Sequence, residues 1–135
     1  MPATVVSAPP LSEYALDLAM AKVLEPRAPE LMAFVITETG TERQLHEFAN
    51  STPGQSAAAA RYFLRTVTGA DRAVVVWDGY VTSLGKRTDA VLAEHSEAGA
   101  ASSRIVGRRY RPAALFRPAV PLGCTVDVGE GHPLF

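Results

Sequence analysis

Apolar and polar residues alternate along much of residues 74–95, which predicts a β-hairpin. The chain can reverse either at Gly79 or near Leu84. A turn at Gly79 leaves only a very short strand before the next glycine. A turn near Leu84 gives two arms of similar length, 73 to 82 and 87 to 95. The pattern therefore favours the later turn.

The register of this hairpin decides which side chains lie together. It places Tyr80 opposite Asp89 and Trp77 opposite Leu92. Because side chains alternate along a strand, the two faces of the hairpin carry different residues. The predicted core face holds Val75, Trp77, Val81, Ala90 and Leu92, and the opposite face holds Val76, Asp78, Tyr80, Thr82, Arg87, Asp89, Val91, Ala93 and His95.

Two segments have the apolar spacing of amphipathic helices. The first spans 12 to 24, with the hydroxyl of Ser12 as its predicted N-cap and Pro26 beyond its end. The second spans 53 to 68 and begins after Thr52, a second candidate N-cap. Its outer face carries Arg61 and Arg65, which we expect to be solvated.

The segments between and after these elements predict further strands. Residues 31 to 38 form a continuous apolar run, which is typical of a strand buried on both faces. Residues 42 to 48 fit an edge strand that follows a turn at Gly40, although a short helix with a capping box at Thr41 is the alternative. Residues 104 to 111 read as another strand, and the segment "CTVDV" fits a last short one.

These elements predict an α+β domain with two layers. Its sheet is mainly antiparallel, both helices cover one face, and the elements follow the order α-β-β-α-β-β-β. We expect a single domain over residues 1–135, with a loose arm at 1–10 and a tail at 129–135.

Composition fits a soluble cytoplasmic protein without a membrane partner. Of the 135 residues, 47% are hydrophobic, and the net charge of −1 gives no overall attraction to nucleic acid or anionic lipid. The N-terminus does not read as a secretory signal, and the longest apolar run, 31 to 36, is too short to cross a bilayer. Cys124 is the single cysteine, so it closes no internal disulfide, and we expect it to be buried.

The best candidate for chemistry is the polar group formed by Asp78, Tyr80 and Asp89, beside Arg87. The favoured interpretation is a structural one, in which these residues form the polar end of a sheet. The alternative is a hydrolase that uses them for metal-dependent or acid/base chemistry, with His46 as an additional ligand. His95 lies roughly 20 Å from Asp89 along the strand, which is too far to share an ion. We expect neither a metal nor a cofactor.

A second candidate lies between Glu97 and Asp127, where the chain has five arginines and no acid. The arginines of the segment "RIVGRRYRP" could bind phosphates, and its tyrosine could stack on a base. The candidate binding residues are Arg87 on the central hairpin and Arg108, Arg109, Tyr110 and Arg111 in the arginine-rich segment 104–117. The alternative is an edge strand with a charged outer face. The apolar run 114–116 that follows favours a protein interface instead.

The segments "DGYVT", "GKRTDA" and "RYRP" together resemble small bacterial proteins known only as hypothetical, over about residues 31–112. This resemblance implies no reaction, cofactor or catalytic residue.

The leading functional hypothesis is a non-catalytic, homodimeric binding protein. It follows from the expectation that Val76, Val91 and Ala93 lie on a sheet face without a helix, where a second copy would cover them. A hydrolase built on Asp78, Tyr80 and Asp89 is the second hypothesis, and nucleic-acid binding through the arginines of 104–117 is the third. The sequence itself names no substrate or process.

Overall fold

The computed structural model describes residues 8–25, 31–49, 52–67 and 69–135. The described chain forms two helices and a seven-stranded sheet. The elements are α1 (Pro10–Leu24), β1 (Phe34–Thr39), β2 (Glu42–Glu47), α2 (Pro53–Thr66), β3 (Arg72–Ser83), β4 (Lys86–Glu97), β5 (Ser103–Arg111), β6 (Val120–Pro121) and β7 (Val126–Gly131). The α+β class and the predicted element order are confirmed, and most of the predicted N-terminal arm lies outside the described residues.

All strand pairs in the sheet are antiparallel. The strands lie in the order β2-β1-β3-β4-β5, and both β6 and β7 pair with the remaining edge of β5. Strand β5, which carries four of the five arginines of the segment 104–117, is therefore an interior strand over most of its length and not the edge strand considered from the sequence.

The alternatives for residues 42 to 48 are resolved in favour of a strand. Thr39 pairs with Glu42 across a two-residue turn in which Gly40 has a φ of 60°. That conformation costs glycine little because it has no Cβ. Strand β2 is the edge of the sheet, and its charged, mostly exposed side chains oppose pairing with another chain.

The central hairpin has the predicted register. Trp77 pairs with Leu92, Tyr80 pairs with Asp89, and the chain reverses at Leu84 and Gly85. Leu92 fills the space left by two glycines, since a Cβ at Gly79 or Gly107 would lie 2.8 Å from its side chain. These close approaches fix Leu92 in the core between β3 and β5.

Helix α1 packs on the face of the sheet that was expected to be open. It begins at Pro10 rather than after Ser12, whose side chain is buried within the helix. Its apolar stripe contacts Phe34, Val76, Val91 and Tyr110. The predicted uncovered patch is therefore wrong, because Val76, Val91 and Ala93 are each 0% exposed beneath α1.

Helix α2 packs on the opposite face, against Val35, Ala73 and Val75. The expectation that both helices cover one face is thus wrong. The physical reason lies in β1 and β3, whose consecutive apolar residues point to both sides of the sheet, so each side needs its own cover.

Cys124 is exposed, contrary to expectation. No helix in the described part of the chain is both long enough and apolar enough to cross a bilayer.

Replacing Val91 by aspartate tests whether α1 covers this face. Val91→Asp places an unpaired charge beneath the helix, so we expect the free energy of unfolding to fall by at least about 3 kcal/mol in urea titrations. Thr82→Asp, on the same face but exposed, is the matched control. It should change the free energy of unfolding by less than about 0.5 kcal/mol. A Val91→Asp protein of unchanged stability would show that this face is open.

Candidate functional site

The candidate catalytic residues lie on the face and in the register predicted for them, near the outer end of the hairpin. Tyr80 and Asp89 are paired across β3 and β4, and both are exposed. The guanidinium of Arg87 lies 3.6 Å from the centroid of the Tyr80 ring. Asp78 is half-buried and accepts a hydrogen bond of 2.8 Å from the hydroxyl of Tyr110. Although they lie opposite each other, Tyr80 and Asp89 form no hydrogen bond among the contacts of the described residues.

The extra residue considered for a metal site lies elsewhere. His46 is on the α2 side of the sheet, where its ring contacts Phe63 at a centroid distance of 4.6 Å. Asp78 is on the α1 side. Within the described ranges, no group of three histidine, cysteine or acidic side chains is close enough to share a metal ion. His46 therefore does not join Asp78 as a metal ligand, and the described residues offer the hydrolase hypothesis no additional ligand.

Arg108 is engaged inside the protein. It forms ion pairs with Glu13 and Asp17 of α1, and its Nε donates to the hydroxyl of Thr125 at 3.1 Å. That hydroxyl in turn donates to Glu13 at 3.0 Å. Although burial acts against it, hydrogen bonding to the two carboxylates raises the pKa of Arg108. This network joins α1 to β5.

The other predicted binding residues differ in accessibility. The Tyr110 ring is buried in the core beneath α1, so it is not available to stack on a base. The Nε of Arg109 is buried, with no hydrogen-bond partner among the described residues. Arg104 lies 3.9 Å from Asp127. Arg104 and Arg111, near the two ends of β5, are the exposed arginines of this strand.

A buried carboxylate on the α2 side was not predicted. Glu94 is 5% exposed and accepts a 2.5 Å hydrogen bond from Ser103. Arg61 of α2 lies 3.0 Å from its other oxygen and stacks over Trp77 at 4.5 Å. Arg61 is therefore a partner for Glu94 and not a solvated residue. The available signal was the position of Glu94, two residues beyond Leu92 on the same core-facing side.

A cleft of about 180 Å³ opens beside this ion pair. The C-terminal segment forms one wall, where Leu134 is buried and its backbone N–H donates to the hydroxyl of Ser96. Arg65 and His132 complete the lining. Because the carboxylate of Glu94 is already satisfied by Arg61 and Ser103, the arrangement mainly anchors α2 and the C-terminal segment to the sheet.

Another charged cluster lies at the opposite end of the sheet from the central turn. Glu38 is bound by Arg43 and Arg72, which lower its pKa below the usual 4.5, with the Arg43 hydrogen bond as the largest cause. Arg72 also contacts Glu97, which lies 3.6 Å from the Nε2 of His95. Burial of His95 lowers the pKa of its imidazole, and the Glu97 charge only partly opposes this effect.

Among the described residues, the three large apolar side chains with the highest exposure lie in two turns that extend toward the same end of the sheet. Leu84 is 76% exposed, Leu115 is 82% exposed and Phe116 is 97% exposed. Ala90 on β4 pairs with Arg109 on β5, so the chain leaving β5 extends toward the same end of the sheet as the β3–β4 turn. We call this surface the hairpin end, and it consists of Leu84, Lys86, Arg87, Arg111, Leu115, Phe116 and Arg117.

The backbone at the hairpin end is strained at two apolar residues. Leu84 has a φ of 52° and Phe116 has a φ of 64°, and they are the only residues other than glycine with positive φ in the described chain. The Leu115-Phe116 turn is closed by backbone hydrogen bonds of 3.1 and 2.9 Å between Ala114 and Arg117. A left-handed conformation costs a bulky residue roughly 1–2 kcal/mol, and these exposed side chains gain no internal packing that offsets it.

The hairpin end is also basic. Residues 80–89 and 109–122 contain five cations and one acid, whereas the rest of the chain contains eight cations and thirteen acids. Sequence reasoning identified the apolar run 114–116 but missed Leu84, which it treated only as part of a turn. The signal available was an apolar residue in a two-residue turn, where asparagine or glycine is usual.

A scan against protein-family models, a search of curated proteins and a search of solved structures each found no match. The resemblance to small bacterial proteins therefore stays a prediction, and the functional interpretation depends on the geometry described above.

Removing Arg61 tests the structural role of the buried ion pair. Arg61→Leu leaves the Glu94 carboxylate without its cation, so we expect the free energy of unfolding to fall by about 3 kcal/mol, with part of the loss recovered when Glu94→Gln is added. Arg65→Leu, an exposed position one turn later on α2, is the matched control. Equal effects of Arg61→Leu and Arg65→Leu in urea titrations would contradict this role.

His95 should make the stability depend on pH. Its pKa is lower in the folded protein than the unfolded value of about 6.5, so the unfolded state binds the proton more readily. We therefore expect stability to fall as the pH drops through that value, and His95→Gln to flatten this dependence. The contribution of Glu38 is separate, because it is lost only below its usual pKa of 4.5.

The measurement is the urea midpoint between about pH 7.5 and about pH 5.5. His132→Gln is the control because His132 is exposed, and this protein should keep the dependence of the parent. A His95→Gln protein with the same pH dependence as the parent would show that another group causes it.

Proposed function

We propose that the protein is a non-catalytic binding protein that contacts its partner through the hairpin end. The observation that carries this proposal is the near-complete exposure of Leu115 and Phe116 on a tight turn whose backbone is strained at Phe116. Strained backbone at an exposed position often accompanies function, because stability alone would select against it. Leu84 repeats the same combination on the turn between β3 and β4.

The polar contacts around Asp78 favour binding over catalysis. Its carboxylate accepts from Tyr110, a residue held in the core under α1. Tyr80 is covered on one side by Arg87. These contacts give the polar residues a structural role in holding the hairpin. The hydrolase remains an untested alternative.

A homodimer remains a prediction, although its original rationale is lost because Val91 lies under α1. A dimer joined through two hairpin ends would bring two basic surfaces together, which is electrostatically unfavourable. We therefore propose a partner other than a second copy at this surface, and we propose the cytoplasm as the compartment.

Site-specific photo-crosslinking in cells tests the proposal. A benzoylphenylalanine in place of Phe116 should form adducts with the partner, whereas the same group in place of Tyr62, which is 69% exposed on α2, should not. Mass spectrometry then identifies each adduct as a protein, a lipid or a second copy. Crosslinking that is absent at both positions, or equal at both, would contradict a contact surface at the hairpin end.

A further inference from the structure

We infer that the partner of the hairpin end is the surface of an anionic phospholipid bilayer. This inference rests on the proposed function, since it names the partner for the same surface. It also revises the expectation, drawn from the net charge of −1, that the protein has no membrane partner. Net charge conceals the uneven distribution of charge along the chain.

The exposed apolar side chains of the hairpin end are aliphatic and aromatic, and they project from tight turns. Leu84 and Leu115 project from separate tight turns together with Phe116, so they form apolar protrusions and not a groove. Protruding aliphatic and aromatic side chains can enter the boundary between headgroups and acyl chains without a preformed pocket in the partner. A nucleic acid would engage Phe116 by stacking but would leave the two leucines without a favourable contact.

Cations lie next to both turns in the sequence. Lys86 and Arg87 follow the first turn directly, while Arg111 and Arg117 flank the second. All four are exposed. Because these cations are close in sequence to the exposed apolar side chains, they would lie near the lipid phosphates when those side chains insert. Each such cation contributes about five-fold to the affinity for an anionic surface.

The combination matters because neither feature binds a membrane stably alone. A few apolar side chains give only weak, reversible association, and stable attachment requires a second signal such as a basic patch. The hairpin end supplies both signals within two short turns. The expected behaviour is therefore reversible binding that depends on anionic lipid and on salt.

Sedimentation with vesicles measures this behaviour in the full-length protein. Vesicles of three parts phosphatidylcholine to one part phosphatidylglycerol should bind it, while vesicles of phosphatidylcholine alone should bind it at least about ten-fold less. Binding should weaken between about 0.1 M and about 1 M salt, where the screening length falls from about 10 Å to about 3 Å.

Paired variants separate the two contributions. Lys86→Gln with Arg117→Gln should weaken binding about 25-fold, whereas Lys22→Gln with Arg65→Gln removes two charges elsewhere and should have little effect. Leu115→Ser with Phe116→Asn should weaken binding at least about ten-fold, while Leu45→Asn with Tyr62→Asn should not. Circular dichroism and urea titration confirm that each variant is folded.

Three outcomes would overturn the inference: no binding to anionic vesicles, equal binding to neutral vesicles, or equal losses in the hairpin-end variants and their controls. If crosslinks from position 116 then identify a protein, the inference is wrong and the proposed function stands. If position 116 also gives no specific crosslink, both the inference of a membrane partner and the proposed binding function are wrong.

Discussion

The antiparallel register of β3 and β4 is the constraint on which the rest of the structure depends. Pairing Trp77 with Leu92 sends Val76 and Val91 to one face, where α1 covers them, and Val75 to the other, where α2 packs. A shift of one residue would exchange these two sets and remove both cores at once. The same register carries the turn at Leu84 beyond the last core residues, and it brings the chain leaving β5 to the same end of the sheet.

Much of the fold could be predicted because local signals agreed with tertiary packing. Strand alternation and the Leu84-Gly85 turn fixed the hairpin, and Thr52 capped α2 as its spacing indicates, since its hydroxyl accepts from the backbone N–H of Gln55 at 3.1 Å. The side of the sheet on which each helix packs could not be predicted in this way. It depends on how the elements are arranged in three dimensions, which the periodicity of the sequence does not show. The apolar run of β1 indicated a strand buried on both faces. The expectation that both helices cover one face was nevertheless wrong, because α1 and α2 pack on opposite faces.

The candidate site was only partly predictable for the same reason. The sequence placed Asp78, Tyr80 and Asp89 on one face, and it marked 114–116 as apolar and the surrounding segment as basic. It could not show that Arg108 is occupied by acids from α1, which lie more than ninety positions earlier in the chain. Nor could it show that Glu94 is neutralised by Arg61, or that two turns distant in sequence extend toward one end of the sheet. Long-range pairings of this kind appear only once the sheet is assembled.

Hydrogen–deuterium exchange of the unmodified protein, with and without anionic vesicles, tests the central claim most directly, because it maps the contact surface without any substitution. The account predicts that vesicles slow exchange in peptides spanning 83–86 and 113–117, and leave α2 and the edge strand β2 unchanged. Slowed exchange along β2 or α2, with none at the two turns, would contradict it.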